Sequence, residues 1–297
     1  MISKKKVIII AGPTAVGKTA VGIAVAKHFG TEIISADSRQ CYREMAIGVA
    51  RPSKAELAEV PHHFIASHSI HEKLTAATFE AYALEKASEI FNRADDLVMV
   101  GGTGLYIKAF TDGMDAIPAV PADVHDRVLE GYRQNGLSWL QEKVQILDPQ
   151  FFRQGEILNP QRLMRALEVV ETTGKSILSF RTGEKKERPF AVIKIALELP
   201  REQLYQRINH RVDNMMEQGL LNEVRSLQPF HHLNALQTVG YKELFDHLAG
   251  KYSLAEAVEA IKRNTRHYAK RQLTWFRKDN EYRWLPPDAT EVIRQLI

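Results

Sequence analysis

The sequence predicts an α/β protein built on a mainly parallel sheet, and three observations carry that prediction. Short, wholly apolar runs alternate with amphipathic segments through the first hundred residues, the pattern of strands buried on both faces and joined by helical crossovers. A glycine-rich stretch spaced G-x-x-x-x-G-K-T sits between the first apolar run and the first helical segment. Strand signals vanish from about residue 113 and return near residue 190, which marks a helical insertion within the α/β part.

The first run, residues 7–11, reads as a strand, and residues 18–29 read as a helix. Between them lies Gly12-Pro13-Thr14-Ala15-Val16-Gly17-Lys18-Thr19. Its glycines let the backbone turn sharply and aim N–H groups into a concave nest for an anion, to which the helix adds its positive end. Lys18 can reach the outer phosphate oxygens and the Thr19 hydroxyl can hold Mg²⁺. A P-loop NTPase-like core that binds a di- or triphosphate is therefore expected. Further strands are expected at 32–36, 63–66 and 97–100, with helices at 76–92 and after Gly104. Pro118 and Pro121 mark the break into the insertion, whose helical periods fall at 123–134, 138–145 and 160–173, the last stopped by Gly174. A strand at 190–199 rejoins the sheet, and the remainder reads as helical. One helix runs from 200 to about 218, where Gly219 interrupts it, and a long one spans about 253–278. In the long helix, Leu254, Val258, Ile261, Tyr268 and Trp275 form an apolar stripe, with Arg263, Arg266, Lys270 and Arg277 on another side. The expected division is a core of residues 1–112 and 190–297 and an insertion of residues 113–189.

Composition narrows the class. The chain of 297 residues is long enough for one large core and a smaller one, and its 26% charged share is ordinary for a globular protein. No apolar run approaches the roughly 20 residues that cross a bilayer, so no membrane partner is expected. The basic start, Lys4 to Lys6, leads straight into the P-loop strand and does not read as a signal peptide. A single cysteine, Cys41, rules out an internal disulfide and fits a cytoplasmic protein. A net charge of +4 hints only weakly at nucleic acid, and nothing demands more than a monomer.

Several other stretches carry chemistry. The second strand ends in Ser35-Ala36-Asp37-Ser38-Arg39-Gln40, and polar residues past a strand's carboxyl end face the ligand crevice of such sheets. Asp37 can hold Mg²⁺, accept a proton from a nucleophile, or simply cap a turn. The fourth strand ends in Gly101-Gly102-Thr103-Gly104, a turn suited to close backbone approach to a ligand. In the insertion, Arg162 and Arg165 share a helix face and can grip phosphate, stack on a base or merely face solvent. Arg207 and Arg211, one turn apart, can reach a diphosphate or pair with acids. The segment Arg271 to Arg277 interleaves basic and aromatic residues, as an RNA-facing surface does, although its aromatics also suit core anchors. The pairs His62-His63 and His231-His232 lack zinc-ligand spacing.

Nine stretches in order resemble the bacterial tRNA dimethylallyltransferase (tRNA isopentenyltransferase) family along nearly the whole chain. They are GPTAVGKT (from Gly12), ADSRQCY (Ala36), RPS (Arg51), PHH (Pro61), GGTGLYIKA (Gly101), NPQRLMRALEV (Asn159), GLLNEV (Gly219), VGYKE (Val239) and RQLTWFR (Arg271). The resemblance implies transfer of a dimethylallyl group from dimethylallyl diphosphate to the exocyclic amine of the adenine 3′ to the tRNA anticodon. It implies Asp37 as general base, Thr103 beside the reacting groups, and Arg211, with Arg207 second, as the arginine that assists the diphosphate. Residues Gly12 to Thr19 would hold that diphosphate (Gly12, Pro13, Thr14, Ala15, Val16, Gly17, Lys18 and Thr19), with Mg²⁺ on Thr19. The tRNA anticodon stem-loop would meet Asp37, Ser38, Arg39, Gln40, Thr103, Gln161, Arg162, Leu163, Met164 and Arg165. His125 stands where many members have a tRNA-touching arginine, with Arg127 two residues on. Cys41 replaces a usual valine, and the acid-rich continuation after the His pair is replaced by residues 65–70. No zinc-finger tail follows RQLTWFR, as expected of the bacterial type.

Other readings remain. A P-loop kinase of small metabolites explains the loop but leaves QRLMR and RQLTWFR without a role. A free-adenylate isopentenyltransferase needs neither the insertion nor the basic last helix. An RNA-binding module with a vestigial P-loop would not need Lys18, Thr19 and Asp37 intact.

Overall fold

The computed structural model describes residues 5–297; Lys4 of the basic start lies outside the described residues. The chain folds into two compact units, one of residues 1–112 with 187–297 and one of residues 113–186.

The first unit is a parallel sheet flanked by helices. Its strands are β1 (Lys6–Ala11), β2 (Ile33–Ala36), β3 (His62–His63), β4 (Asp96–Gly101), β5 (Ala191–Leu197) and β6 (Arg283–Leu285), in the order β3-β2-β4-β1-β5-β6. Every pairing is parallel, and β1 lies centrally with Ile9 opposite Met99 on one side and Lys194 on the other. A strand covered on both sides can be wholly apolar: Val7 to Ala11 are each at most 1% exposed. At about 1.5–3 kcal/mol per buried aliphatic side chain, β1 anchors the end of the loop that follows it.

The helices of this unit begin with α1 (Lys18–His28), α2 (Lys54–Glu59), α3 (Ala76–Phe91) and α4 (Gly104–Asp112). Ser53 and Thr75 start α2 and α3 with capping boxes, which satisfy amides that a helix start leaves without partners. The insertion supplies α5 (Ala122–Leu147), α6 (Pro149–Gln154) and α7 (Pro160–Thr173). Helix α5 breaks at Gly136 (φ 74°), hence the two separate helical periods in the sequence. Asn159 caps α7, its Oδ1 accepting the amides of Gln161 and Arg162, and Pro160 takes the first turn, where no amide is needed. Leu163, Ala166, Leu167 and Val170 of α7 join Val124, Val128, Leu140 and Val144 of α5 in the core of this unit. After β5 come α8 (Arg201–Glu217), α9 (Leu220–Ser226), α10 (Tyr241–Leu248), α11 (Leu254–Phe276) and α12 (Ala289–Arg294). Among the described residues no helix is long and apolar enough to cross a membrane.

Three expectations are corrected. The strand expected at 63–66 is cut to two residues because Phe64 (φ 61°) and Ala66 (φ 46°) take left-handed conformations that end pairing. The C-terminal part is not all helix: Arg283–Leu285 forms the short edge strand β6 beside β5. Trp275 is 39% exposed and no core anchor; Ala257, Ala260, Ile261, Ala269, Gln272 and Phe276 form the buried face of α11 instead. The indole lies over the start of α4, where any Cβ on Gly104 would come 2.0 Å from its Nε1.

Candidate active site

The ends of β1, β2 and β4 converge on a cavity of about 560 Å³ lined by Thr14, Ala15 and Gly17 to Ala20 of the loop after β1. That loop depends on its glycines. Gly12 (φ 142°) and Gly17 (φ 112°) hold conformations that side chains resist, and a Cβ on Gly12 would come 2.7 Å from the Leu197 carbonyl oxygen. Lys18 folds over the loop and donates to the Pro13 carbonyl at 2.7 Å. Burial, and then the neighbouring Arg211, push its ammonium down to about 7, with Asp37 opposing. An anion in the cavity would reverse that, since it favours the charged lysine.

Helix α8 brings further cations. It buries Leu204, Ile208 and Val212 and turns Arg207, His210, Arg211 and Asn214 toward the cavity, at helical spacing. Arg207 Nη1 donates to the Val16 carbonyl at 3.1 Å, and Arg211 Nη1 to Thr14 Oγ1 at 3.4 Å. Burial holds the Arg211 guanidinium below its ordinary value, while Asp37 favours its charge. With Arg51 also on the wall, three guanidinium groups (Arg51, Arg207 and Arg211) and the partly protonated Lys18 face two carboxylates, Asp37 and Glu56. Such a balance attracts a polyanion.

Asp37 follows β2. Its Oδ1 accepts the amides of Arg39 (2.8 Å) and Gln40 (3.2 Å), so the turn-capping role is real. Among the described residues Oδ2 takes no hydrogen bond, and Asp37 lines the first cavity. Asp37 also lines a second cavity, of about 520 Å³, with Ser38, Arg39, Tyr268, His267 and Arg271. Of the P-loop residues, only Thr14 reaches that second space. Asp37, Arg211, Val49, Ala50, Met215 and Tyr268 line both, so they stand where the two cavities meet. Arg207 lines the first alone. Thr103 is tied to the Asp37 turn, its Oγ1 accepting the Ser38 amide at 3.1 Å and donating to Ser38 Oγ at 3.4 Å.

The turn after β4 is glycine-rich for a packing reason beyond the one expected. Cβ atoms on Gly101 and Gly102 would come 2.2 Å from the Ala36 carbonyl oxygen and from Gln272 Nε2, so packing against the protein itself already requires glycine there, and Gly101 also lines the first cavity. Gln272 is the residue the sequence reading missed. Its Oε1 accepts the Thr14 amide at 2.8 Å and its Nε2 donates to the Gly102 carbonyl at 2.9 Å, which braces the P-loop against the turn after β4. A glutamine on the otherwise apolar buried face of α11 was the available signal.

The other expected residues divide. Gln40 is committed to the fold, with its Nε2 donating to the Val49 and Ala50 carbonyls. Arg39 Nη1 donates to the Asn234 carbonyl at 3.2 Å. His125 and the 161–165 stretch belong to the second unit. There Gln161 and Arg162 are exposed, Arg165 is half-buried, and Leu163 and Met164 turn into the core. His125 Nδ1 lies 2.7 Å from Glu168, which Arg165 also approaches at 3.6 Å, while Arg162 pairs with Glu156 and Arg127 with Glu171.

Among the described residues no three His, Cys, Asp or Glu side chains gather as a metal cage. The donors in the first cavity, the Thr19 hydroxyl and the Asp37 carboxylate, still fit Mg²⁺, which takes one or two protein oxygens and completes its shell with phosphate and water.

Residues 40–279 match the profile of the family described as IPP transferase. The chain is similar to the tRNA dimethylallyltransferase of Christiangramia forsetii, 50% identical over 94% of this chain and 92% of that one. Among solved structures, the full-length tRNA isopentenylpyrophosphate transferase of Bacillus halodurans superposes with a TM-score of 0.72 at 35% identity, covering 98% of this chain and 94% of that one. A eukaryotic dimethylallyltransferase acting on tRNA superposes with a TM-score of 0.74 at 28% identity, covering 91% of this chain and 69% of that one.

Proposed function

We propose, since the chain belongs to the IPP transferase family of tRNA dimethylallyltransferases, that it carries a dimethylallyl group from its diphosphate to tRNA. The acceptor is the exocyclic amine of the adenine on the 3′ side of the anticodon, and diphosphate is released. One observation supports this above the rest: Asp37 stands where a cation-rich cavity holding the P-loop meets a second cavity that the P-loop barely enters. A donor diphosphate in the first and an adenine in the second would meet at that carboxylate.

In this reading the adenine leaves its loop, at a cost of a few kcal/mol, and presents its amine to Asp37. An aromatic amine is a poor nucleophile, so Asp37 Oδ2 takes its proton as nitrogen bonds to the allylic carbon. The bond from that carbon to oxygen breaks, and its electron pair leaves with the diphosphate. Loop amides, Lys18 and Arg211 stabilise the charge that builds there. The Thr19 hydroxyl would hold Mg²⁺, which would add positive charge against the leaving diphosphate. Thr103 fixes the Asp37 turn, and Ser38 and Arg39 face the RNA from the second cavity. His125, Gln161, Arg162 and Arg165 extend the RNA contact from the insertion. The protein is taken to act as a monomer in the cytoplasm, with tRNA. Incubation with Mg²⁺, labelled dimethylallyl diphosphate and either unmodified tRNA or AMP tests the assignment. Label is expected in tRNA; label in AMP alone would sink it.

A further inference from the structure

The stretches at 219–224 and 239–243 take no part in the chemistry above, yet their side chains meet on one loop of the site. Glu223 of α9 accepts the amides of Ala46 (3.0 Å) and Ile47 (2.8 Å) on Oε2 and that of Gly48 (3.0 Å) on Oε1. Tyr241 of α10, fully buried, donates its hydroxyl to the same Oε1 at 2.6 Å. Three successive amides turned on one anion form a nest, here filled by the protein's own carboxylate. The Tyr241 ring lies so close over Gly48 that a Cβ there would come 2.5 Å from it.

The chain leaving this nest is the wall of the site. Val49 and Ala50 line both cavities, beside Asp37, Arg211 and Met215. Ala50 holds φ 49°, a conformation that costs a non-glycine residue energy and persists only where its surroundings fix it. Glu223 and Tyr241 fix it from one side and Gln40, on the Val49 and Ala50 carbonyls, from the other. On the donor placement proposed above, a prenyl group reaching from P-loop phosphates toward Asp37 would run along this wall, whose apolar members in the first cavity include Ala46, Ile47, Val49, Ala50 and Met215.

We propose that Glu223 and Tyr241 are positioning residues that hold residues 46–50 as the hydrocarbon wall of the donor site and thereby select a five-carbon donor over longer ones. The inference rests on the donor placement proposed above. A hydrophobic wall discriminates by about 10–200-fold per misfitting methylene, so a small shift of the loop is enough to change selection. Glu223→Gln puts an NH₂ group where a carboxylate oxygen accepted amides, and Tyr241→Phe removes one hydroxyl while keeping the ring over Gly48.

The experiment compares kcat/KM for dimethylallyl and geranyl diphosphate on unmodified tRNA in the wild type and both variants, with inorganic diphosphate affinity measured alongside. The preference for the five-carbon donor is expected to fall at least tenfold in Glu223→Gln and severalfold in Tyr241→Phe, with inorganic diphosphate affinity within twofold of wild type. A proportionate loss for both donors, or an unchanged preference in Tyr241→Phe, overturns the inference. A wild type that transfers nothing to tRNA overturns the parent reading and this one together, whereas transfer with unchanged preference overturns this one alone.

Discussion

Replacing Asp37 by Asn separates the two tasks of its carboxylate. Asn keeps an oxygen where Oδ1 accepts the amides of Arg39 and Gln40, at 2.8 and 3.2 Å, so the turn survives. It removes the basic Oδ2 that faces the meeting point of the cavities. A positioned general base contributes about 10²–10⁴-fold, which is about 2.7–5.5 kcal/mol of barrier at 1.36 kcal/mol per tenfold. Single-turnover transfer at saturating donor and tRNA should therefore slow by about 10²–10⁴-fold, with diphosphate affinity and thermal midpoint near wild type. Asp37→Ala loses the turn bonds as well, each worth about 0.5–1.5 kcal/mol net, so it should match Asn in rate and fall below it in stability. A rate in Asp37→Asn within threefold of wild type would refute the base assignment. A tenfold loss of diphosphate affinity with the rate retained would make Asp37 a metal ligand instead.

Three further outcomes follow from the same geometry. Gln272→Leu leaves the Thr14 amide and the Gly102 carbonyl without their partner, so denaturant unfolding should show a loss of about 1–3 kcal/mol, with donor KM raised because the P-loop loses its brace. Burial, and then Asp37, push the Cys41 thiol up to about 12, so at pH 8 only about 10⁻⁴ of it is thiolate; native protein should resist alkylation, with labelling rising tenfold per pH unit, and become labelled at once when unfolded. Arg162→Ala should weaken tRNA binding and reduce the salt-dependence slope by about one, leaving donor KM unchanged, as measured by binding titrations at several salt concentrations.

The parts of the molecule legible in its sequence were those set by local physics. The apolar run of β1, the P-loop glycines and the Asn159-Pro160 start of α7 each announce their structure within a few residues. Edge strands do so poorly: β3 was expected at 63–66 but pairs only over His62–His63, and β6, three residues long, was missed because short edge strands owe their pairing to neighbours. At the site, Lys18, Thr19 and Asp37 were readable because strand ends in such sheets face the ligand. Gln272 and Glu223 were not, because each acts on backbone 170 or more residues away, and sequence spacing carries no trace of that. Leu163 and Met164 were expected at the RNA because the resemblance covers the whole 161–165 stretch, and a stretch matched as a block does not separate its exposed residues from its buried ones. Trp275 misled because its neighbour Phe276 takes the buried position, and the two differ by a single 100° step around α11.

The central claim is that the P-loop cradles a departing diphosphate and not a nucleotide to be cleaved. The most direct measurement follows diphosphate release from labelled dimethylallyl diphosphate, with Mg²⁺ and unmodified tRNA, in the presence and absence of ATP. One diphosphate should be released per prenyl group transferred, with no consumption of ATP and loss of both products together in Lys18→Met. Transfer that requires ATP hydrolysis, or that proceeds at the wild-type rate in Lys18→Met, would contradict it.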